Sequence, residues 1–316
     1  MIPAKGIAAP APQSEAPARS RREAWAWGAA RLRQMAEGPL DGPLEAEVLL
    51  RHAAGLSREE LFARPGMPLL PDAAATYAAL ISRRVAGIPV AYLVGHREFF
   101  GIDLLVDASV MIPRPETERL VEVVGAVLRD HPDPQTVDIG TGSGAIAIAV
   151  ARLLPRARVL ATDVSPAALG VARANAARAG VAERLEWAEG SALDPLRSRG
   201  LEGRVNALVA NPPYIPTAEV ATLPRDVRDA EPAVALDGGP DGLDVHRPII
   251  AGAGRYLAPG GALVLEVAAV WEQARTIAAL IDRTGHFALA RIVHDYAGAE
   301  RVVIALKVGG DGDHRG

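Results

Sequence analysis

After Pro134 the chain alternates short apolar runs with helix-forming stretches, and this alternation restricts the possible folds more than any other feature. The apolar runs include "QTVDIG", "ARVLATD", "RLEWAE", "VNALVA" and "GALVLEV". Between them lie helical stretches such as "SPAALGVARANAARAG". Strands that are apolar on both faces need helices above and below them. The pattern therefore predicts an α/β fold with a mostly parallel sheet and helices on both faces.

The N-terminal part has a different pattern. Residues 1–24 are rich in Ala and Pro and have no apolar signal-peptide core, so we expect a disordered tail there. Residues 25–86 show the periodicity of several amphipathic helices. One of these helices begins with a capping box, in which Ser57 is followed three residues later by Glu60. We expect a small helical domain at 25–86 that packs or recognises a partner, because none of its residues has catalytic spacing.

The period changes again in residues 87–112. The runs "VAYLVG", "REFFGIDLLV" and "VMIP" are short, apolar and separated by Gly, Asp and Pro, as in a β-hairpin. We therefore expect a β-hairpin linker at 87–112 and the α/β domain at 113–308. Residues 309–316 are expected to be a disordered C-terminal tail.

Composition excludes several kinds of protein. The chain has no cysteine, which excludes disulfides, zinc sites with thiolate ligands and cysteine nucleophiles, and fits a reducing compartment such as the cytoplasm. No run approaches the roughly 20 apolar residues of a membrane span. The net charge of −4 gives no overall positive field, so nucleic acid is not the expected partner. The seven histidines lack metal-binding spacing, and we expect no metal.

The first buried strand runs directly into a glycine-rich loop. The sequence "DIGTGSG" places Gly140, Thr141, Gly142, Ser143 and Gly144 between a strand and a helix, where missing side chains let a ligand approach the backbone. The second strand ends in Asp163, 19 residues after Gly144, and a carboxylate there can accept both hydroxyls of a ribose. Ser165 and Pro166 then start the next helix. Together these features predict a nucleoside site.

The loop leaves the identity of the nucleoside open. Gly140, Gly142 and Ala145 loosely satisfy the dinucleotide pattern G-x-G-x-x-A. Gly140, Gly142 and Gly144 make G-x-G-x-G, which is typical of S-adenosylmethionine-dependent methyltransferases. The choice depends on what the other strand ends offer.

The fourth strand ends in "NPPY", formed by Asn211, Pro212, Pro213 and Tyr214. The prolines restrict their own backbone and that of the preceding residue. The Asn211 side-chain oxygen and the Pro212 carbonyl can then converge as two acceptors for a planar NH2 group, and Tyr214 can supply an aromatic face. Such a clamp would orient a poorly nucleophilic nitrogen toward a methyl sulfonium and stabilise the positive charge that develops.

"NPPY" joined to "DIGTGSG" resembles the amino-methyltransferases. The flanking segments "GIPVAYLVGHREFFGIDLLVDASVMIPRPETE", "RDVRDAEPAVALDGGPDGLDVHRPII" and "ERVVIAL" resemble the release factor glutamine N(5)-methyltransferases of the HemK/PrmC type. The likeness extends from Leu44 to Leu306. It implies a Rossmann-like class I methyltransferase domain that uses S-adenosyl-L-methionine, yields S-adenosyl-L-homocysteine and methylates the glutamine of the Gly-Gly-Gln loop in class 1 release factors.

The resemblance also implies roles for individual residues. Gly140 to Gly144 would contact the methionine and adenosine portions of the cofactor, Asp163 would hold the ribose, and Asn211 to Tyr214 would grip the glutamine amide, with Asn211 also near the methyl. The segment from Ile112 to Glu118 would close over the pocket, where Arg114 and Glu116 either line it or pair with each other.

The chain departs from the family pattern at two places. Ser191 and Ala192 stand where the family often has an acidic residue and an aromatic residue that borders the adenine, so we expect them at the adenine. The fifth strand ends in "LEVAAVWEQA", whereas the family usually turns at a glycine and reaches its glutamine sooner.

Other interpretations remain open at this stage. The same clamp chemistry suits adenine N6 in DNA or RNA, although no target-recognition domain or basic face is evident. The glycine loop alone also permits an NAD-linked oxidoreductase, and the helical domain permits a binding module without catalysis. Asp226, Asp229 and Glu231 are interpreted as a solvated loop rather than as a general base. A monomer is expected by default.

Overall fold

The computed structural model describes residues 20–35, 41–288 and 290–309. Its chain divides into two compact units. The first contains the residues up to Gly95 together with Pro224–Ala230, and the second contains His96–Leu223 and the residues from Glu231 onward. The domain limits expected from the sequence, at 86/87 and 112/113, stay predictions.

The first unit is helical. Its helices are α1 (Arg21–Arg33), α2 (Gly42–Ala54), α3 (Arg58–Ala63), α4 (Pro71–Val85) and α5 (Val90–Val94). They pack around a core that includes Leu32, Leu49, Leu50, Tyr77 and Ile81. The capping box predicted at the start of α3 is confirmed: Ser57 Oγ accepts the Glu60 N–H at 3.1 Å, and the Glu60 carboxylate accepts the Ser57 N–H at 2.8 Å.

Two local features of the N-terminal part differ from the sequence-based expectation. Helix α1 already begins at Arg21, within the expected tail of 1–24, because Ser20 and Glu23 form a second capping box. The run "VAYLVG" is helical: Pro89 precedes α5, and Gly95, with φ 81°, ends it in the left-handed conformation. The rest of the expected tails, residues 1–19 and 310–316, lies outside the described residues.

The second unit begins with the expected hairpin. Strands β1 (His96–Phe99) and β2 (Ile102–Leu105) pair antiparallel. They are joined by Phe100 and Gly101, whose φ values are 52° and 71°. Two positive φ angles are the signature of the type I′ turn that suits the twist of a hairpin.

The main sheet of the second unit has seven strands in the order β5-β4-β3-β6-β7-β9-β8. These strands are β3 (Gln135–Ile139), β4 (Arg158–Asp163), β5 (Leu185–Glu189), β6 (Val205–Ala210), β7 (Leu257–Glu266), β8 (Arg291–His294) and β9 (Glu300–Leu306). The first five in spatial order are parallel, and β9 pairs antiparallel with both β7 and β8. The predicted α/β fold with a mostly parallel sheet is confirmed.

Helices cover both faces of this sheet. In chain order they are α6 (Glu118–Leu128), α7 (Ala145–Leu153), α8 (Pro166–Arg178), α9 (Asp194–Arg197), α12 (His246–Tyr256) and α13 (Gln273–Arg283). The short helix α10 (Thr217–Val220) has no buried residue, and α11 (Arg225–Arg228) belongs to the first unit. The neighbours Leu208 and Val209 of β6 are both fully buried, in two different core clusters. Burial on both faces is why the strand reads as an unbroken apolar run.

Candidate active site

The sheet register brings the predicted site residues to one edge. Ile139 of β3 lies beside Thr162 of β4 and Ala210 of β6. The residues that follow on these three neighbouring strands are therefore Gly140, Asp163 and Asn211. Since β4 and β6 flank β3 on opposite sides, the strand order reverses here, which is where α/β sheets bind ligands.

A cavity of about 250 Å³ opens at this edge. Most of the residues predicted for the site line it: Gly140, Thr141, Gly142, Ser143, Asp163, Ser191, Ala192, Asn211, Pro212 and Pro213. Met111, Pro113 and Thr117 line it as well, so the segment expected to close over the pocket does border it. Of the predicted residues, Gly144 and Tyr214 are not in this lining within the described chain.

The glycine loop presents bare backbone to the cavity. Gly140 and Gly142 have φ values of 74° and 57°, which favour glycine. No atom of the described chain lies within 4 Å of the position where a Cβ would stand on either glycine. The loop is held by the Thr162 carbonyl, which accepts the N–H groups of Gly140 and Thr141 at 2.8 Å each. It therefore forms an open cradle beside the cavity.

Asp138 supports the loop from inside the sheet. Its side chain is fully buried, and Oδ2 accepts the Thr141 hydroxyl at 2.6 Å and the Ala147 N–H at 3.1 Å. Burial raises the pKa of this carboxyl to about 7. Sequence reasoning did not include Asp138 in the site, although a carboxylate inside a buried strand was a signal.

Asp163 joins the glycine loop to the next helix. Its Oδ2 accepts the Gly142 N–H and its Oδ1 accepts the Ser165 N–H, both at 2.9 Å. Ser165 in turn caps α8, as predicted, by accepting the Ala168 N–H at 3.2 Å. A carboxylate offers about four acceptor positions, so two remain after these bonds. That capacity matches the two hydroxyls of a ribose.

Ser191 and Ala192 follow the third parallel strand and line the same cavity. The preceding Gly190 donates its N–H to the Asp163 carbonyl at 2.9 Å, which ties this turn to the ribose-binding position. Ala192 has φ 45°, a strained value for a residue with a Cβ. The turn thus lies beside Asp163 in the same cavity, and its contact with an adenine stays a prediction.

S-adenosylmethionine fits these groups. The open space beside Gly140 and Gly142 gives room for the cofactor to approach the backbone of the loop. Asp163 keeps free acceptor positions for the ribose hydroxyls. The individual cofactor contacts stay predictions. Gly144, unlike Gly140 and Gly142, packs against a helix: a Cβ on Gly144 would lie only 3.1 Å from the Ala172 Cβ of α8.

Asn211 is anchored by a partner far along the chain. Its Nδ2 donates to Thr117 Oγ1 at 3.2 Å. Glu266, at the end of β7, lies close enough to the side chains of Thr117 and Asn211 for both to lower its pKa. Both Thr117 and Glu266 are almost fully buried, and burial raises the pKa of the Glu266 carboxyl to about 7. Sequence reasoning missed these two partners.

Gln273 and Gly242 hold the backbone of Tyr214. Gln273 is 2% exposed, and its Nε2 donates to the Tyr214 carbonyl at 2.6 Å while its Oε1 accepts the Ala268 N–H at 3.1 Å. Gly242, with φ 76°, approaches so closely that a Cβ would lie 2.3 Å from the Tyr214 oxygen. Gln273, which follows strand β7, therefore contacts the Asn211–Tyr214 segment even though the loop "EVAAVWEQ" departs from the family pattern. The glycines of "DGGPDG" were the sequence signal for the close approach.

The Tyr214 side chain is largely buried, and this burial raises its pKa above the ordinary value of a phenol. The hydroxyl therefore stays neutral at physiological pH. The aromatic contact with a substrate amide stays a prediction.

Arg114 pairs with a residue that the sequence did not suggest. Its guanidinium binds the Glu231 carboxylate, whose other oxygen accepts the Ile112 N–H at 3.2 Å. Of the two alternatives left open for Arg114, pairing with Glu116 is therefore not observed, and Arg114 pairs with Glu231 instead. Glu231 is 5% exposed, which contradicts its interpretation as part of a solvated loop.

The acidic residues before Glu231 belong to the first unit. Asp226 accepts a hydrogen bond from Arg84 at 3.0 Å, and Arg84 is itself buried and forms a bidentate pair with Glu45. Asp229 is exposed and pairs with Arg228 at 2.9 Å. Asp226 is thus a half-buried ion-pair partner of Arg84.

Across residues 20–35, 41–288 and 290–309, no three His, Asp or Glu side chains are grouped as metal ligands. Over the same ranges, no helix combines the length and apolar character that a membrane crossing requires.

Each of the two units contains a segment that matches a known family model. The PrmC N-terminal domain model matches residues 23–95, and the Methyltransferase small domain model matches residues 119–239. Among solved structures, the hMettl16 catalytic domain in complex with the MAT2A 3′UTR hairpin 6 superposes with a TM-score of 0.54 at 15% identity, covering 74% of this chain and 84% of that one. This likeness shows the methyltransferase fold alone.

Two relatives match over almost their whole length. A release factor glutamine methyltransferase of Moorella thermoacetica is 47% identical over 277 residues, which is 87% of this chain and 95% of the relative. One of Deinococcus radiodurans is 43% identical, over 84% of this chain and 92% of the relative. Together with the cavity geometry, these matches show that the chain belongs to the release factor glutamine methyltransferase family and is an S-adenosylmethionine-dependent methyltransferase.

Proposed function

We propose that this protein transfers a methyl group from S-adenosylmethionine to the side-chain amide nitrogen of the glutamine in the Gly-Gly-Gln motif of class 1 peptide chain release factors. The observation that carries the proposal is the shared cavity in which Asn211 and Pro212 border the glycine loop and Asp163. The relatives' name supplies the substrate class.

In this proposal the glycine loop and Asp163 position the cofactor. The backbone of Gly140 to Gly144 lies along the methionine and adenosine portions, and the free acceptors of Asp163 take the ribose hydroxyls. Ser191 and Ala192 border the adenine. When bound, the cofactor supplies an electrophilic methyl group on a sulfonium.

The clamp positions the acceptor nitrogen. An amide nitrogen is a poor nucleophile because its lone pair is delocalised into the carbonyl. Asn211 Oδ1 and the Pro212 carbonyl accept its two N–H bonds, orient it toward the methyl group and stabilise the positive charge that develops on it. Pro213 keeps the segment rigid, and the Tyr214 ring excludes water from the amide plane.

We also propose that the protein acts as a monomer in the cytoplasm. A cytoplasmic location fits both the substrate class, which acts in translation, and a chain without cysteine.

Methylation of adenine N6 in DNA or RNA uses the same clamp chemistry. The relatives described above are named as release factor enzymes, and the similarity to the hMettl16 domain extends only to the fold. Nucleic acid therefore enters the test as a competing substrate rather than as a second proposal.

The test supplies methyl-labelled S-adenosylmethionine with one of three acceptors: a release factor, the same factor with its Gly-Gly-Gln glutamine changed to alanine, and DNA or RNA containing adenine. We expect label on the unmodified factor only. Label that persists on the glutamine-to-alanine factor would overturn the assigned target atom. Label only on nucleic acid would overturn the substrate class.

A further inference from the structure

We propose that Glu266 and Thr117 are positioning residues that fix the orientation of the Asn211 amide, so that its oxygen and not its NH2 group faces the substrate. The inference deepens the proposed function and depends on it, because it assigns a task to Asn211 in methyl transfer.

The sheet places the carboxylate beside the clamp. Ala210 of β6 pairs with Leu265 of β7, so the next residues, Asn211 and Glu266, are neighbours at the carboxyl edge. Thr117 comes from the turn before α6, 94 residues away from Asn211 in the chain. The three side chains meet in a buried environment, where Glu266 is 1% exposed and Thr117 is 4% exposed.

The hydrogen-bond chain has a defined direction. Asn211 Nδ2 donates to Thr117 Oγ1 at 3.2 Å, and both side chains lie close enough to the Glu266 carboxylate to lower its pKa. The Thr117 hydroxyl, which accepts from Asn211, has one hydrogen left, and we infer that it is aimed at Glu266. An ionised carboxylate only accepts, so the NH2 group of Asn211, and not its oxygen, faces this pair. Asn211 Oδ1 then remains free for a donor in the cavity.

The opposite orientation would disable the clamp. With the amide turned over, Asn211 would present N–H groups to a substrate NH2, and donor would face donor. It would also turn its oxygen toward the Glu266 carboxylate, which cannot donate while ionised. Buried polar groups left without partners strongly disfavour that arrangement.

The charge of Glu266 depends on its surroundings. Burial is the main cause that raises its pKa to about 7, and Glu116 raises the pKa further. Arg301 and the hydrogen bonds from Thr117 and Asn211 lower it. Tyr214 also faces it as a neutral phenol, and Oε2 has no hydrogen-bond partner among the described residues. The direction of the hydrogen-bond chain can therefore change near neutral pH.

The first test removes the hydroxyl without changing the shape. In Thr117→Val we expect kcat to fall by up to about 100-fold while the Kd of S-adenosylmethionine stays within about twofold. Thr117→Ser, which restores the hydroxyl, should recover most of the lost kcat. The matched control is Thr136→Val: Thr136 is equally buried in β3, and its hydroxyl has no partner in the described chain.

The second test is the pH profile of Glu266→Gln. In the wild type, kcat should fall as the pH drops through about 7, because protonated Glu266 becomes a donor and competes with the Asn211 N–H bonds. The variant should be slower and should lack this acidic limb. The pKa of Asp138 is raised to about the same value, so Asp138 could also cause a loss of kcat at acidic pH. If kcat of Glu266→Gln still falls at acidic pH as it does in the wild type, another group causes the fall, and the proposed role of the Glu266 charge is overturned.

The outcomes separate the inference from the proposed function. If the wild type methylates a release factor and Thr117→Val matches Thr136→Val, the positioning role is overturned while the proposed function stands. If the wild type methylates no release factor, the proposed function fails. A crystal structure of Thr117→Val at a resolution that distinguishes the amide atoms then decides the orientation, and an unchanged Asn211 overturns the inference.

Discussion

The loop after strand β3 and the segment after strand β6 border the same cavity, but different kinds of partner hold them. The glycine loop is held by groups close to it in the chain, such as Asp138, Thr162 and Asp163. The clamp after β6 is held by side chains far away: Thr117 is 94 residues from Asn211, and Gln273 is 59 residues from Tyr214.

The glycine loop and the clamp, which form the two halves of the site, should respond differently to mutation. In the proposed function the glycine loop acts through its backbone and a single carboxylate, so damage there should appear in cofactor affinity. The clamp is proposed to act through the precise direction of two acceptors, so damage there should appear in turnover with the cofactor still bound. Substitutions in the two halves should therefore separate Kd from kcat.

The largest effect is expected for Asn211→Ala in the clamp. The variant loses the acceptor that orients the amide nitrogen, so we expect kcat to fall by about 100- to 1000-fold, the size seen when one aligned polar group is removed from a reacting centre. Calorimetry should show cofactor binding within about threefold of the wild type. The control, Asn206→Ala, changes the same residue type near the opposite end of β6, the strand that Asn211 follows. Unchanged turnover in Asn211→Ala would show that the clamp has been misassigned.

Asp163→Ala should have the complementary effect on the glycine-loop half. It removes the acceptors proposed for the ribose and frees the Gly142 and Ser165 N–H groups, so we expect the Kd of S-adenosylmethionine to rise by about 100-fold. Turnover at saturating cofactor should fall much less. Asp133→Ala, at a highly exposed carboxylate, is the control. A fall in kcat without a change in Kd would contradict the division between the halves.

Gln273→Leu tests the distant support of the clamp. The change leaves the Tyr214 carbonyl and the Ala268 N–H without their buried partner. We expect the free energy of unfolding to fall by about 2 to 4 kcal/mol and kcat to fall by about tenfold. Denaturant unfolding and steady-state kinetics measure the two effects. Gln135→Leu, at the amino end of β3, is the control and should leave kcat unchanged. If kcat falls as much in Gln135→Leu as in Gln273→Leu, Gln273 has no special role in supporting the clamp.

The smallest effect concerns His246, which supports the end of β7. Its Nε2 donates to the Glu266 carbonyl at 3.1 Å, and burial lowers its pKa to about 4. The unfolded chain takes up a proton below about pH 6.5 while the folded histidine stays neutral, so stability falls as the pH drops from about 6.5 to 4. The loss due to this group is up to about 1.4 kcal/mol per pH unit.

His246→Gln should remove that slope, because glutamine can donate to the same carbonyl and does not titrate. The unfolding free energies of the wild type and the variant, measured by denaturant at pH 7, 6 and 5, should therefore converge as the pH falls or cross in favour of the variant. Asp138 and Glu266 have raised pKa values and act in the opposite direction, but they are present in both proteins and cancel in the difference. Parallel curves would contradict the neutral buried histidine.

The two halves also differ in how far the sequence revealed them. The strand-loop-helix around "DIGTGSG" and the cap at Ser165 were predicted correctly, because glycine conformation, strand ends and helix caps are local properties. Of the two alternatives for Arg114 and Glu116, the ion pair between them is not the one formed, because the guanidinium of Arg114 binds the buried Glu231. Proximity between residues 114 and 231 follows from the packing of the whole unit and leaves no local signal.

The sequence by itself predicted the fold class, and it supplied the proposals of a cofactor cradle at the glycine loop and of acceptor chemistry at Asn211 and Pro212, since proline and glycine restrict the backbone wherever they stand. Only the tertiary structure decided what holds that chemistry in place. Thr117, Glu266 and Gln273 reach the clamp through a sheet register and helix packing that join distant parts of the chain. Their burial, which sets both the direction of their hydrogen bonds and the pKa of Glu266, exists only in the folded protein.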